Sequence, residues 1–207
     1  GPIVLRDGRY FYVGRSFSVE NKYLEKGVYR EFLPEGIYYM TSEDGYNWTK
    51  PQPIPIKAVD GDLWCEPCAF EREDGGISVL VRVQRFSPAI GPLRTYQTDC
   101  SADGKEWSEP RDLGLLASPP HVIRHSSGVL ICVVGRREKP YAEQAIISRD
   151  DGKTWSEPIN LSQKAVSGDM GYPSSAELSD GSILTAFYGS EKENEKSNIS
   201  FVVWKLV

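Results

Sequence analysis

Ser148-Arg149-Asp150-Asp151-Gly152-Lys153-Thr154-Trp155 is the stretch on which the fold of this chain turns. It holds a D-G-x-x-W core and is followed by Pro158. The same core stands at Asp44-Gly45-Tyr46-Asn47-Trp48 and at Asp103-Gly104-Lys105-Glu106-Trp107, each again followed by a proline, Pro51 and Pro110. The tryptophans are 59 and 48 residues apart, so the chain repeats with a period of about fifty residues. Asp and Gly close tight strand-to-strand turns through side-chain-to-backbone hydrogen bonds and left-handed backbone, and a tryptophan at a fixed offset packs between sheets. Those carboxylates are expected to be structural.

A second repeat lies upstream of each of these turns and recurs once after the last of them, in a final blade that has no D-G-x-x-W turn and ends on the strand Ile199 to Leu206. Asp7-Gly8, Asp74-Gly75, Ser127-Gly128 and Asp180-Gly181 sit between apolar runs such as Tyr10 to Val13, Ile77 to Val83, Val129 to Val134 and Ile183 to Tyr188. The runs are short and rich in Val, Ile, Tyr and Phe, and Gly, Asp, Ser or Pro bounds each one, so they read as strands rather than helices. Strand, turn, strand, then strand, D-G-x-x-W turn, strand makes a four-stranded antiparallel blade, and such blades in series make an all-β propeller. Four blades are predicted, near residues 1–57, 62–114, 116–165 and 168–207. Read as Ser148-x-Asp150-x-Gly152-x-Thr154-Trp155, the third turn is a full Asp box. The first two look eroded, with Glu43 and Ala102 at the Asp150 position when the glycines are aligned.

Hydrophobic residues make up 40% and charged residues 26%, an ordinary globular balance that excludes disorder. No run approaches the roughly twenty apolar residues of a membrane helix. A net charge of −5 offers no basic face to nucleic acid, though a few local arginines still suffice for a small anion. Cys65-x-x-Cys68 has no second CxxC and no His-rich segment behind it, so the four cysteines, with Cys100 and Cys132, are expected to be free thiols in strands, and no metal or other cofactor is expected. Asn47, Asn160 and Asn198 head Asn-x-Ser/Thr sequons.

Aligning the blades on the turn glycine registers a set of functional side chains. Nine residues before it stand Glu66, Pro119 and Tyr172; seven after it stand Arg15, Arg82, Gly135 and Tyr188, with Arg136 and Arg137 following Gly135. Antiparallel first and second strands bring these ends to one face of the disc, opposite the D-G-x-x-W turns. Glu66, Arg82, Arg136, Tyr172, Tyr188 and His121, near its strand start, are therefore expected to converge at one mouth. A carboxylate, guanidinium groups and a phenol round one axis form an acid–base pocket suited to an anion.

The stretch Glu66-Pro67-Cys68 … Asp74-Gly75 … Arg82, with Arg sixteen residues after Glu, and the stretch Gly171-Tyr172-Pro173-Ser174-Ser175 … Asp180-Gly181 resemble sialidases of the Asp-box superfamily. By that resemblance the four blades are the C-terminal part of a six-bladed ring, with Glu and Arg in its fourth blade and Tyr in its sixth. The resemblance implies an exo-acting glycoside hydrolase that cleaves a terminal sialic acid or similar acidic sugar from a glycan or glycoconjugate. Tyr172 would be the nucleophile and Glu66 its base. Arg82 would be one of three arginines that clamp the substrate carboxylate; Arg15, Arg136, Arg137 and Tyr188, registered to the same mouth by the alignment, are expected to line the subsite, and His121, which is no part of the sialidase motif, could read a different sugar. A secreted or periplasmic location follows from the resemblance alone.

Two departures bear on this. The stretch Lys139-Pro140-Tyr141-Ala142-Glu143-Gln144, where the family places a third clamp arginine, has none, so Arg136 or Arg137 would substitute from the end of the second strand. The acid and a first arginine belong to blades upstream of Gly1, which should appear in any preceding sequence; within this chain Asp60, Asp62 and Asp169 are the candidates for the acid. The alternatives are an Asp-box hydrolase or lyase for another glycan, and a non-catalytic propeller that binds carbohydrate or protein.

Overall fold

A computed structural model of the protein describes residues 1–16, 35–56, 62–85 and 93–206. Every described element is a strand, and no helix among the described residues is long and apolar enough to cross a membrane. Blade one consists of β1 (Ile3–Val4), β2 (Tyr10–Ser16), β3 (Gly36–Ser42) and β4 (Gln52–Pro53). Blade two consists of β5 (Asp62–Glu71), β6 (Ile77–Arg85), β7 (Arg94–Cys100) and β8 (Arg111–Asp112). Blade three consists of β9 (Pro120–Arg124), β10 (Leu130–Arg136), β11 (Ala142–Ser148) and β12 (Ile159–Ser162). Blade four, which has no D-G-x-x-W turn and ends near the predicted strand Ile199 to Leu206, has three described strands, β13 (Gly171–Glu177), β14 (Ile183–Gly189) and β15 (Asn198–Trp204). All four are antiparallel meanders in sequence order, the blades of a β-propeller.

Three apolar cores fasten blade to blade. Phe11, Val13 and Ile37 of the first meet Val79 and Val81 of the second; Phe70 and Leu80 of the second meet Leu130, Cys132 and Ile146 of the third; Ile131, Val133 and Ala145 of the third meet Ile183 of the fourth. The middle strands of blade three are covered on both faces. This is why β10 reads Leu-Ile-Cys-Val-Val without alternation. Each fully buried aliphatic side chain there contributes about 1.5–3 kcal/mol of burial. The outer face of blade four remains exposed at Ile199, Phe201 and Val203, alternate residues of β15.

The three D-G-x-x-W turns carry out the local chemistry expected of them, with one correction. The first two are not eroded but one residue shorter. Ser42 and Asp44, Ser101 and Asp103, and Ser148 and Asp150 are hydroxyl–carboxylate pairs two residues apart, each joined by a hydrogen bond of 3.1, 2.7 and 2.8 Å. Asp44 thus takes the place of Asp150, accepting from the backbone N–H groups of Tyr46 and Asn47 at 2.8 and 2.7 Å, as Asp150 accepts from Thr154 N at 2.9 Å. The extra residue of the third turn, Asp151, is left-handed at φ 61°; it accepts from Arg124 Nη2 of its own blade and reaches Glu73 N of blade two, both at 2.6 Å. Trp155 packs on Phe70 and donates to Gln97 Oε1 at 2.9 Å, and Trp107 packs on Tyr39, so each ties its blade to the preceding one. Trp48 leans instead on Tyr12 of its own blade.

The bonds from Thr154 hold the Asp150 carboxyl down at about 2. Asp150→Ala is expected to cost about 1–2 kcal/mol, the solvent-moderated value of hydrogen bonds to an exposed carboxylate. Urea unfolding at pH 7 reads this, and an unchanged midpoint would show that the turn holds without its carboxylate.

Candidate functional site

Glu66 and Tyr172 occupy the same unusual backbone in two blades. In blade two the ladder pairs Cys65 with Arg82 and resumes at Cys68 with Leu80, leaving Glu66 and Pro67 opposite Val81 alone. In blade four it pairs Gly171 with Tyr188 and resumes at Ser174 with Ala186, leaving Tyr172 and Pro173 opposite Phe187. Both are β-bulges, and in both the first extra residue is left-handed, φ 51° at Glu66 and 49° at Tyr172. The following proline has no N–H to lose from the ladder. A non-glycine residue with positive φ costs about 1–3 kcal/mol and persists where surrounding structure holds it, often at functional sites.

The two bulges bring their side chains together from strands 106 residues apart, and the Tyr172 hydroxyl donates to Glu66 Oε1. The other carboxylate oxygen, Glu66 Oε2, accepts from Arg82 Nη1 at 2.7 Å, and Arg82 Nη2 donates to Gln84 Oε1 at 2.8 Å. Burial works against the Arg82 charge. The bond and the charge of Glu66 outweigh it and hold the guanidinium above its ordinary value. Tyr172 is half exposed, and burial followed by its bond to Glu66 pushes the phenol pKa up. The resting pair is thus a neutral phenol donating to a carboxylate.

A second chain of groups flanks the first. The Arg137 guanidinium lies over the Tyr172 ring, 5.2 Å from its centre, and Arg137 Nη2 donates to the Tyr188 hydroxyl at 3.3 Å. That hydroxyl donates in turn to Asp169 Oδ1 at 2.5 Å, and the Tyr172 and Tyr188 rings are 6.0 Å apart. Arg137 is therefore the arginine that meets Tyr172. Arg136, the last residue of β10, makes no hydrogen bond to either chain. Arg15 ends β2 close enough to Cys65 to act on its thiol, and it pairs with Glu35 at 2.5 Å.

His121 stands beside the Tyr172 bulge. Its ring bridges the inner strands of blades three and four, with Nδ1 accepting from the backbone N–H of Ser175 at 3.2 Å, just past the Tyr172 bulge. Burial lowers its pKa, so the ring is neutral near pH 7 and its proton lies on Nε2. Of the three acid candidates, Asp169 lies at this mouth through Tyr188, Asp62 begins β5 opposite Arg85, and Asp60 is outside the described residues. The four cysteines are free, with Cys65, Cys100 and Cys132 buried.

One polar group had no sequence signal. Glu143, in the stretch scanned for a third arginine, is 0% exposed, and neither of its oxygens has a hydrogen-bond partner. Burial raises its pKa to about 8, with Arg137 pulling the other way. Its neighbours in sequence mark it as an ordinary exposed strand residue, and only the packing of blade four on blade three removes it from water.

The opposite face carries a cleft of about 520 Å3 lined by Arg72, Asp74, Gln97, Asp99, Asp150 and Gly152. Its carboxylates are engaged within the fold: Asp74 accepts from Gly76 N and Asp150 from Thr154 in their turns, and Asp99 of β7 accepts from Ser78 of β6 and from Gln97. The candidate set of Glu66, Arg82, Arg137, Tyr172, Tyr188 and Asp169 lies at the other mouth.

Among solved structures, a protein of unknown function from Dyadobacter fermentans DSM 18053 superposes with a TM-score of 0.77 at 18% identity, over 98% of this chain and 51% of its own. The present chain thus spans about half the length of that relative. The Hadza microbial sialidase Hz136 superposes with a TM-score of 0.68 at 15% identity, over 98% of this chain and 43% of its own. An endo-arabinase from Bacteroides thetaiotaomicron VPI-5482 superposes with a TM-score of 0.60 at 15% identity, over 100% of this chain and 74% of its own. At such identities the likeness is one of fold. No curated protein matches the chain. The model of the BNR repeat-like domain matches residues 2–185, and with the four blades and their repeated turns this places the chain in the BNR repeat-like domain family.

Proposed function

We propose that this chain is the C-terminal part of a six-bladed Asp-box glycoside hydrolase of the sialidase type, acting on a terminal acidic sugar. The hydrogen-bonded line Tyr172–Glu66–Arg82, built on twin bulges, carries this reading. A phenol near pKa 10 is a weak nucleophile and needs a base to take its proton as it attacks. Glu66 is already the acceptor of that proton. As Tyr172 Oη bonds to the anomeric carbon, the bond to the leaving oxygen breaks, and a general acid from the upstream blades protonates that oxygen. Water then attacks the anomeric carbon and gives its proton to the upstream group that served as acid, while the carbon–Oη bond breaks and the phenol recovers its proton from Glu66. A neutral phenol approaches a sugar that carries its own carboxylate more easily than a second carboxylate does, which is why tyrosine suits this substrate class. Arg82 and Arg137 supply the positive field for that carboxylate, with Arg137 taking the part of the arginine missing from 139–144.

A second reading, a related propeller acting on a different glycan, is favoured by that missing arginine and by the Asp169–Tyr188 pair beside Tyr172. The full-length protein, assayed against sialosides, uronosides and arabinosides, separates the two. Release of sialic acid alone supports the first and release of another sugar supports the second. If no sugar is released and a glycan still binds, the protein is a binding propeller and Tyr172 is no nucleophile.

A further inference from the structure

The seam between blades three and four holds buried polar atoms that the Tyr172–Glu66 line does not use. Gly135 of β10 and Glu143 of β11 are directly opposed in the ladder, so their side-chain positions share one face of the sheet. That face is turned to blade four, since a Cβ on Gly135 would stand 2.9 Å from Gly171 Cα and 3.4 Å from Met170 Sδ. Both carboxyl oxygens of Glu143 are buried there without a partner. So is Arg137 Nε, which would lie 3.9 Å from a Cβ on Gly171. The buried hydroxyl of Ser118, whose N–H donates to Gly135 O at 3.0 Å, is also unpartnered. A carboxyl, a guanidinium edge and a hydroxyl thus gather beneath the bulge that carries Tyr172. None of these atoms bonds to another.

We propose that Glu143 is a positioning residue for Arg137, and that an anion bound over Tyr172 is taken up together with a proton on Glu143. The second part rests on reading the mouth as the site of an acidic sugar. Arg137 faces two places at once: Nη2 and the guanidinium plane meet Tyr188 and Tyr172, while Nε lies in the seam. With Glu143 protonated, the arginine's charge is free for the mouth. With Glu143 ionised, carboxylate and ligand compete for one cation, and an unpaired buried carboxylate draws the guanidinium back into the seam.

The charged and titratable groups at the Glu143 end of the seam are Arg136 and Arg137 at the end of β10, His121 of β9, Tyr141 just before β11, Asp169 ahead of β13, and Tyr172 and Tyr188 of blade four. Lys164, after β12, pairs outward with Glu191. Of these, Arg137 is the charge that acts on the Glu143 carboxyl, against the larger effect of burial. Linkage makes the coupling reciprocal: if ionising Glu143 weakens anion binding, then binding the anion must raise the Glu143 pKa by the same free energy.

Two measurements test this. The first is calorimetric binding of N-acetylneuraminic acid and of glucuronic acid to the full-length protein at pH 8, in two buffers of different ionisation enthalpy. Wild type is expected to take up a fraction of a proton on binding and to lose affinity about five- to tenfold between pH 6.5 and 9. In Glu143→Gln the uptake should vanish and the affinity should become flat with pH. Binding without proton uptake in wild type, or with uptake unchanged in Glu143→Gln, overturns the proposal.

The second measurement needs neither a sugar nor the Glu143 variant. The Glu143 carboxyl resonance of carbon-13-labelled protein is titrated in wild type and in Arg137→Gln. The midpoint is expected near 8 in wild type, as burial sets it, and higher in the variant. A midpoint that does not move in Arg137→Gln overturns the coupling. If the midpoint moves while neither sugar acid binds, the coupling stands and the acidic-sugar reading of the mouth falls.

Discussion

Tyr172→Phe is expected to lower turnover of the full-length protein at least about a thousandfold while leaving ligand affinity within the roughly 1.5 kcal/mol of one hydrogen bond. Phenylalanine keeps the ring beneath Arg137 and removes only the hydroxyl that donates to Glu66 Oε1. Glu66→Gln should produce a loss of similar size. An amide cannot accept the phenolic proton, though its oxygen can still accept from Arg82. Because nucleophile and base act as a unit, the double variant should be little worse than either single one. Single-turnover kinetics with a substrate bearing a good leaving group, beside equilibrium binding of the free sugar, reads both quantities. Turnover by Tyr172→Phe within tenfold of wild type would falsify the assignment of the nucleophile. Parallel loss of turnover and binding would instead mean that the bulge had collapsed.

The second large effect concerns stability and does not depend on any reaction. Glu143 has a pKa of about 8 in the folded protein, against an ordinary value of 4.5, because burial penalises the carboxylate. Between those two pH values the folded state holds a proton that the unfolded state has released, so stability falls as pH rises across that window and levels off above it. The full span is on the order of 5 kcal/mol, from the conversion of about 1.4 kcal/mol per pKa unit. Glu143→Gln removes this slope. The buried amide carries its own unpaired-group cost of about 1–3 kcal/mol, but that cost does not depend on pH. Urea unfolding of both proteins from pH 5 to 9 isolates the difference. The variant should gain on wild type steadily with rising pH and be the more stable at pH 9. Parallel curves would mean that Glu143 is ionised or solvated in the folded state.

The mouth combines the same backbone strain at two residues with charges of both signs, and their arrangement suits an acid–base pair. Left-handed Glu66 and left-handed Tyr172 each cost folding free energy, and each turns a side chain out of the regular ladder toward the other. His121 holds the far side of the Tyr172 bulge through Ser175 N, and the close approach of Gly135 to Gly171 holds its near side. Arg82 fixes the Glu66 oxygen that Tyr172 does not use. Geometry of this kind is kept by neighbours on three blades, so a change in any one of them reaches the hydroxyl.

The D-G-x-x-W turns with which the sequence begins to make sense were legible because their chemistry is local. Ser148, Asp150, Gly152 and Thr154 satisfy one another within seven residues, and a period of about fifty is visible without coordinates. The same locality made the blade order and strand runs readable, and the shared turn glycines put Glu66, Arg82, Tyr172 and Tyr188 on one face. The alignment on glycine still mistook Glu43 and Ala102 for lost carboxylates, because a loop one residue shorter shifts the side chains but not the glycine. What only the tertiary structure decided depends on partners far apart in the chain: the twin bulges, the choice of Arg137 over Arg136, the backbone role of His121 and the burial of Glu143. A left-handed φ at Glu66 or Tyr172 is held by strands from other blades, and a carboxyl loses its water only when another blade covers it. Local sequence therefore set the blades and the face, and the packing of one blade on the next set the acid–base geometry at its mouth.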